Sequence, residues 1–187
     1  MDYTTVKTAC IIGSGVAGLA SARILKEIGI DCSVFERHDK LGGVWTDGYL
    51  DYGVQVPKEL YEFPDYPLPA DAPSFTPGPI FQEYLEDFAR HFGIIGDIRF
   101  ETDVLKVERA GNSDGWSVTT SKADVTNTQN FDLVIVAVGL YSNVPHLPAV
   151  DGKADFQGAL LHISDLKCAK LLNGKKVAVV GFGKSLS

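Results

Sequence analysis

The sequence predicts an α/β fold, three layers built around a parallel sheet, and three observations carry that prediction. Two short apolar runs, Val6 to Ile12 and Cys32 to Glu36, flank a segment rich in helix formers, Leu19 to Gly29. A glycine-rich turn, Gly13-Ser14-Gly15-Val16-Ala17-Gly18, joins the first run to that segment. Much later, Phe131 to Val138 is apolar throughout and ends at Gly139, as expected of a parallel strand covered on both faces. Strand, tight turn, helix and strand in this order make a βαβ unit, whose crossover should be right-handed.

Each element has a local reason. Val6 to Ile12 is β-branched and apolar, so it reads as a buried strand. The helix that follows places Leu25 and Ile28 near one face and should stop at Gly29, where a glycine suits the C′ position. From Gly48 to Pro79 the composition changes: seven of the nine prolines fall here, interleaved with Tyr and Phe. Prolines at that density exclude regular helix or central strand. So many aromatics predict an ordered loop laid over the domain. Ile80 to Phe92 then repeats Phe81, Tyr84, Leu85 and Phe88 at three- and four-residue spacing, an amphipathic helix closed by Gly93.

Arg99 to Glu108 and Gly115 to Thr120 read as two strands joined by Gly-Asn-Ser-Asp-Gly, an inserted hairpin or meander. Asn143 to Pro148 brings two prolines and breaks the chain. Val177 to Val180 starts another buried strand, followed by Gly181-Phe182-Gly183-Lys184-Ser185. The expected division is residues 1–150 as a first domain and 151–187 as a linker with the opening strand and glycine loop of a second. A strand and loop at Ser187 lack the helix that would complete the unit. The sequence is therefore expected to be the amino-terminal part of a longer protein, its fold incomplete at the C-terminus.

Composition narrows the function classes. The net charge of −7 and the lack of clustered Lys and Arg argue against a nucleic-acid surface. Met1 to Lys7 has no apolar signal core, and no apolar run reaches membrane-spanning length. Cys10, Cys32 and Cys168 are too few and too scattered for a disulfide framework or a zinc site, and no metal is expected. A reducing, cytoplasmic setting fits this use of cysteine.

The chemistry lies in the first glycine turn. In Gly13-x-Gly15-x-x-Gly18, the first glycine permits the tight turn. The second lets the backbone approach a pyrophosphate, and the third lets helix and strand pack closely. A pyrophosphate would rest on the helix N-terminus, where free N–H groups and the dipole favour negative charge. Glu36, at the end of the second strand, is placed to accept hydrogen bonds from ribose hydroxyls. Together these predict a Rossmann-like dinucleotide-binding unit. A carboxylate at that position repels a ribose phosphate, which disfavours NADP in this first site. Gly42-Gly43, just beyond, would let backbone come close to a bulky ligand, although it could equally be a plain loop turn with Trp45 in the core.

These residues resemble the flavin-containing monooxygenases and the related Baeyer–Villiger type enzymes. The resemblance covers nearly the whole chain. It rests on Gly13 to Gly18, Phe35-Glu36-Arg37, Leu41-Gly42-Gly43-Val44-Trp45, Pro57-Lys58-Glu59, Phe63-Pro64-Asp65-Tyr66-Pro67-Leu68-Pro69, and Phe156-x-Gly158-x-x-x-His162. The second loop, Gly181 to Ser185, is similar to the family's NADPH-binding loop. The resemblance implies an FAD- and NADPH-dependent monooxygenase acting on a small-molecule substrate and O2. In such enzymes NADPH reduces the flavin, oxygen adds to give a flavin hydroperoxide, and one oxygen atom passes to a nucleophilic N or S centre or to a ketone.

It further implies that Gly13, Ser14, Gly15, Val16, Ala17, Gly18, Glu36, Arg37, Gly43, Val44, Trp45 and Gly139 belong to the FAD site, with Val104 near the adenine. Gly181, Gly183, Lys184 and Ser185 would meet the NADPH pyrophosphate, and His162 would help hold NADPH. Gln55 stands where the flavin-containing monooxygenases carry an Asn beside the flavin; it keeps the amide and adds a methylene. Leu166 occupies the last aromatic position of the His162 motif, and Leu186 stands where the second loop's third small residue is expected. Two other functions are conceivable. A flavin-disulfide reductase would need a close cysteine pair, and a non-catalytic nucleotide-binding piece would bind FAD weakly or not at all.

Overall fold

The computed structural model describes residues 6–111, 114–140 and 147–181. Seven strands and two helices are present among them: β1 Thr8–Ile12, α1 Val16–Glu27, β2 Asp31–Phe35, α2 Gly78–His91, β3 Ile98–Arg99, β4 Asp103–Arg109, β5 Trp116–Lys122, β6 Val125–Phe131 and β7 Leu133–Val136. A parallel sheet runs in the order β3-β2-β1-β7, and a separate antiparallel sheet in the order β4-β5-β6.

Alternation along β1 and β2 explains the three layers. Ala9, Ile11, Cys32 and Val34 face one way and pack with Leu19, Ala22 and Leu25 of α1 and Phe81, Leu85 and Phe88 of α2. Cys10 and Phe35 face the other way, against Val118 of β5 and Phe131 of β6. Successive strand residues point to opposite faces, so an apolar run becomes a strand covered on both. Helices cover one side of the parallel sheet and the antiparallel sheet covers the other.

Both helices end as their glycines predict. Gly29 has φ +79°, its N–H donates to Lys26 O, and the next N–H, of Ile30, donates to Leu25 O at 2.9 Å. Gly93, at φ +63°, and Ile94 repeat this pattern after α2. Residues at φ above zero close a helix in this way, and glycine adopts that φ without strain. The proline-rich stretch is an ordered cover as predicted: Val54, Phe63 and Leu68 are buried in the helix-side core.

Four expectations are corrected. Ile28 is 67% exposed, because it is the cap residue where the chain leaves the helix and its face no longer follows Leu25. Arg99 to Glu108 is not one strand. Arg99 ends β3 in the parallel sheet, Glu101 turns at φ +55°, and β4 begins at Asp103 in the other sheet. The break is fixed by Thr102, whose N–H donates to Glu36 O. The run from Phe131 to Val138 is shared: Phe131 ends β6, β7 covers only Leu133–Val136, and Val136 and Val138 are exposed. With β1 on one side and no further described strand on the other, this strand is half-covered. Lastly, Val177 to Val180 forms no strand and is exposed, since no described strand lies beside it to complete its hydrogen bonds.

Candidate functional site

The three glycines of the turn after β1 answer to different constraints. Gly13 has φ +100°, and a Cβ there would lie 2.6 Å from the carbonyl oxygen of Ala137. A Cβ on Gly18, in the first turn of α1, would fall 2.0 Å from Gly13 O. Packing of the chain on itself dictates both. Gly15 differs. Its backbone sits at φ −75° and ψ −174°, open to any residue, and a Cβ would meet nothing closer than Gly43 Cα at 3.8 Å. The protein does not require glycine there: a Cβ would make an ordinary van der Waals contact with Gly43, so glycine leaves the two backbones bare where they face each other.

Helix α1 starts at Gly15 with no side-chain cap and no acidic residue in its first turn. Its leading N–H groups and dipole therefore favour an anion. Glu36, 5% exposed, stands directly after β2. Its Oε2 accepts the Ser14 N–H at 2.9 Å and the Ser14 hydroxyl at 2.8 Å, and its Oε1 accepts the His38 N–H at 3.0 Å. A carboxylate offers about four acceptor sites, so these donors leave room for a hydroxyl. The Ser14 side chain is fully buried and serves to hold the acid. Val104, two residues after Thr102, packs against the cluster that contains Phe35, the residue before Glu36.

The second glycine pair is tied to the first. Gly42 N–H donates to Ser14 O at 3.0 Å, and Gly42 and Gly43 turn at φ +120° and +63°. A 3-10 turn at Gly43–Trp45 then exposes Val44 and lays Trp45 on an aromatic group: stacked on Tyr52, edge-on to Tyr61, and 4.5 Å from Phe81 between ring centroids. Trp45 is thus both a core residue and part of the loop facing Gly15. The Tyr52 hydroxyl donates to Trp45 O at 2.8 Å, and burial raises its pKa above the ordinary tyrosine value. Nothing in the spacing of Tyr52 marked it, and the same holds for Gln82 of α2, whose Nε2 donates to Leu41 O.

The remaining expected residues are more scattered. Arg37, Gly139 and Gly181 are exposed, and Gln55 is exposed next to buried Val54 on the segment that carries Tyr52. His162 caps the short turn Ile163–Asp165, its Nδ1 lying 2.8 Å from Ser164 Oγ. Its segment docks on the loop after Trp45. Leu50 N–H donates to Leu166 O, and Lys167 Nζ donates to Asp47 Oδ1 and Gly48 O. Gly183, Lys184 and Ser185 lie outside the described residues. Cys10 and Cys32 sit on opposite faces of the sheet, and burial pushes their thiols to about 12 and about 11. They cannot form the reactive pair that a flavin-disulfide reductase needs.

The model of the flavin-binding monooxygenase-like family matches residues 6–187. The chain belongs to this family. It is 31% identical over 200 residues to senecionine N-oxygenase of Tyria jacobaeae, covering 97% of this chain and 43% of that protein. It is 34% identical over 194 residues to flavin-containing monooxygenase 1 of Homo sapiens, covering 96% of this chain and 36% of that protein. The chain thus spans less than half the length of these curated relatives.

Solved structures agree. S-allyl-L-cysteine S-oxygenase from Allium sativum superposes with a TM-score of 0.76 at 25% identity, over 88% of this chain and 43% of that one. An oxidized steroid monooxygenase bound to NADP superposes with a TM-score of 0.71 at 27% identity, over 86% of this chain and 31% of that one. Gly13 to Gly18, Glu36 and Gly42-Gly43 are joined by hydrogen bonds in this chain.

Proposed function

We propose that this chain holds FAD as part of an FAD- and NADPH-dependent monooxygenase that inserts one oxygen atom of O2 into a small molecule, at a nucleophilic N or S centre or at a ketone. Residues 1–150 belong to the FAD-binding part, and 151–187 to the linker and the start of an NADPH-binding domain. One observation supports this above the others: Gly15 is glycine where neither backbone strain nor protein packing asks for it. That bare backbone lies at an uncapped helix N-terminus, as a pyrophosphate requires.

In this reading the N–H groups of Val16 and Ala17 meet the pyrophosphate, and Glu36 takes a ribose hydroxyl on its remaining acceptor site. Ser14 holds Glu36 in place, and His38 N–H keeps the other carboxylate oxygen from turning away. Gly43, Val44 and Trp45 close the cleft opposite Gly15. Bound FAD, reduced by NADPH, supplies the electrons that activate oxygen. His162 and the Gly181 loop serve NADPH, and Gln55 offers its amide near the flavin.

The test is FAD titration of the purified chain, followed by flavin absorbance and protein fluorescence. Wild type is expected to quench and turn yellow, and Gly15→Val to fold but not bind. Equal binding by both would overturn the cleft assignment. With a tertiary amine, a thioether and a ketone as probes, NADPH and O2 should be consumed together with an oxygenated product. Recovery of all electrons as peroxide would make the protein an oxidase instead.

A further inference from the structure

Gln82 sits on α2 between the buried Phe81 and Tyr84, at a position that a helical pattern leaves polar. Its Nε2 donates to Leu41 O at 2.8 Å and to Glu86 Oε1 at 3.1 Å. A backbone carbonyl and a carboxylate can only accept, so the NH2 end of the amide must face them. The other end is left over: Gln82 Oε1 is buried without a hydrogen-bond partner. It lies against Gly42, where a Cβ would fall 2.0 Å from it. Buried carbonyls are seldom left unbonded, and keeping one costs stability. The cost is accepted at a point where the chain turns through two positive φ angles in succession.

What the amide holds is connected to the site. Leu41 O is fixed by Gln82, the next residue's N–H bonds Ser14 O, and Ser14 in turn bonds Glu36. We propose that Gln82 is a positioning residue for the flavin site, its amide anchoring the Leu41–Gly43 turn so that Gly43 stands across from Gly15. This placement rests on the FAD site proposed above. Gln82 does not touch the cofactor; it acts through the turn.

Two variants of the full chain test it, with FAD affinity by fluorescence quenching, thermal midpoint and the exchange rate of the Gly42 amide as readouts. Gln82→Leu keeps the bulk and loses the donor. It should weaken FAD binding about tenfold, the worth of one hydrogen bond, and speed exchange at Gly42. Gln82→Glu offers a donor only when protonated. Ionised, it faces Leu41 O and the Glu86 carboxylate, itself paired with Arg90, and FAD binding should be as weak as in Gln82→Leu. As pH falls and the new carboxyl takes a proton, its O–H can donate to Leu41 O. FAD affinity should then recover toward wild type, while neither wild type nor Gln82→Leu shows such a recovery.

If wild type binds FAD and Gln82→Leu binds equally well, the positioning role is wrong and the flavin site stands. If wild type itself does not bind, the flavin site falls and Gln82's role with it. Loss of affinity in step with the thermal midpoint, with no pH-dependent recovery in Gln82→Glu, would reduce Gln82 to ordinary packing. Should Gln82→Leu fail to fold, the pH profile of Gln82→Glu decides alone.

Discussion

Thr8–Ile12 and residues 177–180 are both short apolar runs leading into glycines, yet they have opposite fates. The first is a strand with three consecutive residues inaccessible to solvent, between β2 and β7. The second forms no strand, and Val180 at its end is 95% exposed. The same contrast holds between the regions that contain them. Residues 6–140 hold every buried side chain among the described residues, whereas 147–181 consists of short 3-10 turns and extended chain. Hydrogen bonds from Leu166 and Lys167 tie that segment to the body. An apolar run supplies the capacity to be a strand, and a neighbouring strand to pair with makes it one.

The sharpest way to break this contrast is to put equivalent changes in both regions. Gly18→Ala would place its Cβ 2.0 Å from Gly13 O, and should cost more than about 4 kcal/mol and prevent cooperative folding. Gly174→Ala, at φ +68° with nothing within 4 Å, should cost roughly 1 kcal/mol of local strain and leave the melting transition in place. Urea titration followed by circular dichroism measures both. Next in size, Phe88→Ala opens a fully buried site and should lose about 3–5 kcal/mol. Phe156→Ala in the segment should stay within about 0.5 kcal/mol of wild type.

Asp132 sharpens the account of β1. Its carboxylate accepts the N–H groups of Lys7 and Thr8 and the Thr8 hydroxyl, pinning the start of that strand beside β7. These bonds, led by the Lys7 N–H, hold its pKa below the ordinary value. A depressed carboxyl stabilises the fold fully above the unfolded pKa of about 3.9, and the contribution disappears as pH falls through the lower folded value. Asp132→Asn should therefore lower the urea midpoint at neutral pH, and the gap from wild type should close in acid. The smallest effect belongs to Lys167→Met. Amide exchange across 147–181 should quicken while global stability moves by less than about 1 kcal/mol, the range of an exposed ion pair.

Much of the parallel layer was legible because its signals are local. Gly29 and Gly93 stop helices through their own φ angles, and Phe81, Tyr84, Leu85 and Phe88 mark a helix face by spacing alone. β6 escaped notice for an equally physical reason. Between Val125 and Phe131 its residues are Thr, Asn and Gln, all exposed, and its hairpin turn uses Ala123 and Asp124 at positive φ where glycine or asparagine would have signalled it. The break at Glu101 was invisible too, since Thr102 leaves the sheet only because the Glu36 carbonyl takes its N–H. In the site, Gly13, Gly18 and Glu36 could be placed from spacing. The parts played by Tyr52 and Gln82 could not, because each acts on a loop far away in sequence.

By itself the sequence determined the βαβ unit, its glycine turn, the acid after the second strand and the helix ends. These depend on backbone freedom and residue period within a few positions. Only the tertiary structure decided which apolar runs become strands, where one strand ends and the next begins, and that a Cβ fits at Gly15 but would strike backbone at Gly13 and Gly18. Those outcomes depend on which atoms from distant parts of the chain arrive alongside, and no local pattern records their arrival.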